Sequence, residues 1–127
     1  MQTDASNPKT VLITGASTGI GLALARQLRD TDLRTVVTAR ESSLGRLKDA
    51  GIVESDNFLI RPLDVTCGPA REKLITEIET RWGGIDVLVN NAGVSYRAVQ
   101  EHLTEQDETD QFAVNYFAPM RLIRRVL

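Results

Sequence analysis

The sequence predicts an α/β fold built on a doubly wound parallel sheet, and three observations predict it. Short apolar, β-branched runs alternate with segments whose apolar residues recur at helical spacing. The first run carries consecutive apolar residues between threonines rather than an alternating pattern, as suits a strand covered by helices on both faces. A glycine-rich turn joins that run to the first helical segment.

The elements follow in order. Thr10-Val11-Leu12-Ile13-Thr14 reads as the first strand, ending at Gly15, and Ile20 to Asp30 as the first helix, with Ile20, Ala23, Leu24 and Leu28 at helical spacing. Thr35 to Ala39 is the second strand. Ser42 or Ser43 can cap a short helix that runs through Lys48 and stops before Gly51. Asn57 to Leu63 is the third strand. Pro69 opens a helix at the position where a missing N–H costs nothing, Leu74, Ile75, Ile78 and Trp82 share its apolar face, and Gly83-Gly84 ends it. Ile85 to Val89 is the fourth strand. A long amphipathic helix, roughly 105 to 127, closes the chain, with Pro119 expected to kink or break it. Strands joined by crossover helices imply right-handed connections and helices on both sheet faces.

At 127 residues the chain is one domain, with residues 1–9 expected as a disordered polar tail and 10–127 as the folded unit. Its 42% hydrophobic and 25% charged residues exclude a disordered or fibrous chain. Fifteen Lys and Arg against seventeen Asp and Glu, with no basic block, argue against nucleic-acid binding. No segment has the ~20 apolar residues of a membrane helix. Cys67 is the sole cysteine and His102 the sole histidine. An internal disulfide, a His-based metal cluster and a hydrolase triad are therefore excluded, and a reducing cytoplasm is the expected compartment.

The turn Thr14-Gly15-Ala16-Ser17-Thr18-Gly19-Ile20-Gly21 brings amide groups and the positive end of a helix to one spot, which favours a phosphate. The competing reading is a glycine-rich connection without a ligand. Its Gly-x3-Gly-x-Gly spacing differs from Gly-x-Gly-x-x-Gly, and no Gly-Lys-Ser/Thr follows to make a P-loop. These residues resemble the Thr-Gly-x3-Gly-Ile-Gly motif of the short-chain dehydrogenase/reductase family. Asn90-Asn91-Ala92-Gly93, directly after the fourth strand, resembles a second motif of that family. The resemblance runs from about Thr10 to Leu127 and implies a Rossmann-type sheet.

The resemblance assigns Gly15, Ser17, Thr18, Gly19, Ile20 and Gly21 to the diphosphate of a nicotinamide dinucleotide. Arg40 stands where the family places an acidic residue for a free ribose 2′-hydroxyl. An arginine there favours a 2′-phosphate, hence NADP(H) over NAD(H), unless it is a solvated arginine flanked by Glu41. Asp64 and Val65 match the family's adenine-contacting pair, although Asp64 can equally cap a turn with Thr66. Asn91, Ala92 and Gly93 would line the cofactor channel, and Asn90 fits contact and structural roles alike. Asn115 matches the asparagine of the family's catalytic Ser-Tyr-Lys-Asn tetrad, whose main-chain carbonyl holds a water leading to the lysine in a proton relay.

The tetrad's proton donor is a tyrosine with a lysine four residues on, and neither tyrosine here qualifies. Gln100 follows Tyr96 and Met120 follows Tyr116 at that distance, and the lysines are Lys9, Lys48 and Lys73. The family implies a chain roughly twice this long, so the sequence reads as an N-terminal half, truncated after the fourth βα unit and inactive alone. The substrate class implied is a small carbonyl or alcohol, and the last helix resembles one used for dimer contacts, so a homo-oligomer is expected of the full-length form. The fourth strand would be left as an apolar edge. Competing readings are a nucleotide-binding module without catalysis, as a natural short form or sensor, and another doubly wound domain of flavin or receiver type. The missing acidic cluster after the first strand argues against a receiver. Cys67 is expected to be an unreactive thiol, His102 an exposed residue, and Trp82 a core residue. Arg121, Arg124 and Arg125 are expected to complement the dipole of the last helix.

Overall fold

Leu12, Val36 and Leu59 lie side by side on neighbouring strands, and Val11, Ile13 and Val37 point to the opposite face. That alternation organises a computed structural model of the chain, which describes residues 7–127. The expected tail falls largely on residues 1–6, outside the described residues. Lys9 already touches the sheet, its carbonyl accepting from Arg34 N–H at 3.0 Å.

The strands are β1 (Thr10–Ile13), β2 (Arg34–Ala39), β3 (Phe58–Pro62) and β4 (Val87–Val89), all parallel in the order β3-β2-β1-β4. The helices are α1 (Gly19–Leu28), α2 (Leu44–Asp49), α3 (Gly68–Trp82), α4 (Glu105–Phe112) and α5 (Ala118–Val126). This is a Rossmann-like α/β sheet, and it has two cores because it has two covered faces. Ala25 of α1 and Leu47 of α2 pack with Val11, Ile13 and Val37. Leu74, Ile75 and Ile78 of α3, with Ala118 and Leu122 of α5, pack with Leu12, Val36 and Leu59. Each such Val, Leu or Ile side chain contributes about 1.5–3 kcal/mol when fully buried.

Several boundaries and faces differ from expectation. The buried side of α1 is centred on Gly21 and Ala25, with Leu24 and Leu28 half-buried, whereas Ile20 is 80% exposed and Ala23 also faces out. The tight approach of Gly21 to Gly15 C=O and the Asn91 side chain fixes that rotation. Ser43 precedes α2 after a 3-10 turn at Glu41–Ser43, but its side chain makes no capping bond. α3 has Pro69 in its first turn and ends at Gly83 with φ +89°, a left-handed conformation that suits glycine. Trp82 is half-buried and packs against the core beside Ile75 and Ile78, as expected, but its ring is also a platform for the Arg34 and Arg81 guanidiniums, 6.0 and 5.7 Å from its centre.

The long final helix is interrupted, as Pro119 implies, but the irregular turn lies ahead of the proline. Residues Ala113–Phe117 form a π turn in which Ala118 N–H reaches back to Ala113 C=O. Pro119 then sits in the first turn of α5, where its missing N–H is tolerated. At the other end, Thr104 and Asp107 form a reciprocal capping box that starts α4. His102 is exposed in a short turn just before it. Arg125 pairs with Glu72 and Glu79 and so ties α5 to α3, while Arg121 stacks on Phe117. β4 is the outer strand on its side, and Val87 is 46% exposed.

Candidate cofactor site

The turn after β1 is held at three points. Ala16 N–H donates to Thr38 C=O at 2.8 Å, which anchors the turn to β2. Thr14 Oγ1 accepts from the N–H groups of Asn91 and Ala92 at 3.1 and 3.0 Å, and Asn91 Nδ2 donates to Gly15 C=O at 2.9 Å. These bonds bring the segment after β4 against the glycine turn. The contact is so close that a Cβ on Gly15, at φ +66°, would stand 2.6 Å from Ala92 Cα, and one on Gly21 would stand 2.5 Å from Asn91 Nδ2. Glycine is required at both places to let main chain pass main chain. At Gly19, φ +57°, a Cβ would meet no protein atom within 4 Å.

The space kept open at Gly19 belongs to a cleft of about 340 Å³ at the carboxyl ends of the strands. Gly15, Ser17, Thr18, Gly19 and Ile20 of the turn line it with Asn91, Ala92, Gly93 and Val94 of the segment after β4, and Arg40, Ser43 and Arg46 line it from the end of β2 and the start of α2. α1 opens at Gly19, so its first amides, which lack partners within the helix, face this cleft, and Thr18 makes no side-chain capping bond that would occupy its hydroxyl. Among the described residues no carboxylate lines it. Amide donors, three hydroxyls and two guanidiniums facing one cleft suit an extended polyanion.

Three predicted cofactor residues fall outside this lining; Gly21 is buried where α1 meets the turn. Asp64 faces a neighbouring cleft of about 550 Å³, and Val65 is buried in the core beneath. Asp64 Oδ1 accepts from both the amide and the hydroxyl of Thr66, at 2.9 and 2.7 Å, which is the turn-capping alternative. Those bonds, and then the nearby charge of Arg40, hold its carboxyl below the usual range. Leu63 lines both clefts and separates them.

Asn115 lies in the π turn and spends its amide on the strand-end segment, accepting from Val94 N–H at 2.9 Å and donating to Val94 C=O at 2.7 Å. Pro119, four residues on, has no N–H to offer the Asn115 carbonyl. Asn90 is half-buried and lines no part of the cleft. Cys67 is exposed at the start of α3. Arg46 and Val94 were not singled out from sequence, and Ser43 was expected only as a helix cap. Arg46 and Ser43 come to the cleft only through the turn at Glu41–Ser43, which has no apolar period to announce it.

A parallel β3-β2-β1-β4 sheet with a glycine turn and an anion-suited cleft at its carboxyl ends defines a nucleotide-binding class. The chain belongs to the short-chain dehydrogenase family, whose model matches residues 9–127. This is an oxidoreductase family that uses NAD or NADP. The chain is 37% identical over 119 residues to a fatty acyl-CoA reductase of Mycobacterium tuberculosis, covering 91% of this chain and 40% of that protein. Its structure resembles a short-chain dehydrogenase from Streptomyces avermitilis, with a TM-score of 0.84 and 34% identity over 94% of this chain and 43% of the other. It also resembles an NADPH-bound carbonyl reductase from chicken fatty liver, with a TM-score of 0.83 and 26% identity over 94% and 50%. The chain thus spans about 40–50% of the length of these relatives.

Proposed function

We propose that residues 10–127 form the cofactor-binding unit of an NADP(H)-dependent oxidoreductase acting on a small carbonyl or alcohol. The observation that carries the reading is the cleft itself: a glycine turn with space left open at Gly19, lined further by Asn91–Gly93 and two arginines and, among the described residues, by no carboxylate. The Ser17 and Thr18 hydroxyls and the first amides of α1 bind the diphosphate. Gly21 keeps the helix close to Gly15 and Asn91, Ile20 forms part of the lining, and Ala92 and Gly93 leave it smooth. Arg40 takes the 2′-phosphate. Asp64 keeps Oδ2 for the adenine amine, its Oδ1 being used by Thr66, and Val65 packs beneath. When bound, the nicotinamide supplies or accepts the hydride.

Proton transfer to the substrate oxygen needs a positioned acid. The chain has no Tyr-x3-Lys pair to supply one, so the 127 residues bind cofactor without turnover. Asn115 contributes to a proton relay through its main-chain carbonyl, which Pro119 leaves without the usual helical partner. The proposed setting is the cytoplasm, consistent with one unpaired cysteine, and among the described residues no helix is long and apolar enough to cross a membrane. The full-length form is proposed to be a homo-oligomer.

Titration of the chain with NADPH and NADH, followed by fluorescence, tests the reading. NADPH is expected to bind more tightly, and Arg40→Asp to reverse the order. Tighter NADH binding by the unaltered chain rejects the NADP(H) assignment, and carbonyl-dependent oxidation of NADPH by the chain alone rejects the claim that its acid is missing.

A further inference from the structure

We infer that Arg46 is a second specificity-determining residue for the cofactor, reaching the 2′-phosphate from α2 while Arg40 reaches it from the end of β2. The inference rests on the NADP(H) reading above and adds a residue that neither the glycine turn nor the strand-end position designates.

Among the described residues lining the cleft, Arg40 and Arg46 alone have ionisable side chains. The juxtaposition arises from the short turn after β2. Ser43 N–H donates to Arg40 C=O at 2.8 Å, folding the chain back so that α2 begins beside the strand end and places Arg46 on the same cleft. The same turn directs Glu41 the other way, into the neighbouring cleft with Arg61 and Lys73. The carboxylate next to Arg40 in sequence is therefore not its neighbour in the cleft. Neither Arg40 nor Arg46 joins an ion pair among the described residues, whereas Arg61 and Arg125 are each committed to two glutamates.

A phosphate monoester carries about −1.5 to −2 charges at neutral pH and presents three acceptor oxygens. One guanidinium fork engages two of them and leaves charge and an acceptor over, which a second fork can take. A free ribose 2′-hydroxyl offers no such charge. Arg46 therefore acts on the difference between the two cofactors, not on the diphosphate they share.

The test measures binding of NADPH, NADH, adenosine 2′,5′-bisphosphate and 5′-AMP to the chain and to its Arg46→Gln, Arg46→Lys and Arg40→Gln variants by calorimetry, with thermal melts alongside. Arg46→Gln is expected to weaken NADPH and adenosine 2′,5′-bisphosphate about tenfold, the size of one lost charge-assisted bond, and to move NADH and 5′-AMP less than twofold. Arg46→Lys is expected to recover part of the loss. The inference is overturned if Arg46→Gln leaves NADPH binding unchanged while Arg40→Gln weakens it, and in that case the NADP(H) reading stands. It is also overturned if Arg46→Gln weakens both cofactors equally. If the unaltered chain does not favour NADPH, the reading itself fails and takes the inference with it.

Discussion

Thr14 and Asn91, far apart in sequence, are joined at the top of the sheet. The Thr14 hydroxyl oxygen accepts the Asn91 and Ala92 amides, and the Asn91 side chain returns a bond to Gly15 C=O. One β-branched side chain thereby sets the distance between two segments that line the cleft. Thr14→Val keeps the shape and leaves the Ala92 amide without its acceptor, while Asn91 N–H retains Val89 C=O at 3.1 Å. A loss of about 1–3 kcal/mol is expected in urea unfolding, with Thr14→Ser recovering most of it.

The glycines of the turn are predicted to be unequal. Gly15→Ala drives a Cβ into Ala92 at a backbone angle that alanine resists, so a loss of about 2–4 kcal/mol is expected. Gly19→Ala meets no neighbour and bears only the conformational penalty, about 1–2 kcal/mol. Its methyl enters the cleft, so nucleotide affinity is expected to fall although the fold survives. Denaturation and NADPH titration of both variants separate the two effects.

Thr35 Oγ1 is buried in β2 without a hydrogen-bond partner. Thr35→Val exchanges the orphaned hydroxyl for a methyl of the same shape. A gain of about 1 kcal/mol is expected, read as a higher urea midpoint at unchanged slope.

Glu77 lies against Arg61, whose guanidinium donates to both its oxygens at 2.8 to 3.0 Å and holds its carboxyl below the usual range. Because its folded-state pKa lies under the unfolded value of about 4.3, its stabilisation is present above that pH. It is lost as the pH falls through the folded pKa. Glu77→Gln is expected to flatten the acid limb of a stability profile below the unfolded value of about 4.3, while lowering stability at pH 7.

How much of this was legible in the sequence follows from the range of the forces involved. The β-branched runs and the helical spacing are local signals, and the strands appear where Val11 to Ile13, Val36-Val37 and Phe58 to Ile60 stand, with ends shifted by a residue or two. Pro69 and Gly83 likewise marked the limits of α3 from local chemistry. The rotation of α1 was not legible, because the close approach of Gly21 to Asn91 spans 70 positions and outweighs the apolar pattern that included Ile20. Nor was the π turn: Pro119 announced an irregularity, but Asn115 gripping Val94 lies ahead of it. Asp64 carried two readings in sequence, and its bonds to Thr66 supply the local one.

Val94 is held at both its N–H and its C=O by Asn115, a side chain rooted in the helical layer, not in the sheet. The rim of the cleft is thereby yoked to the junction of α4 and α5, and any displacement of that junction must be felt by whatever occupies the groove. A substituent that pries these two helices from the sheet would loosen the ligand's seat without touching a single atom of it.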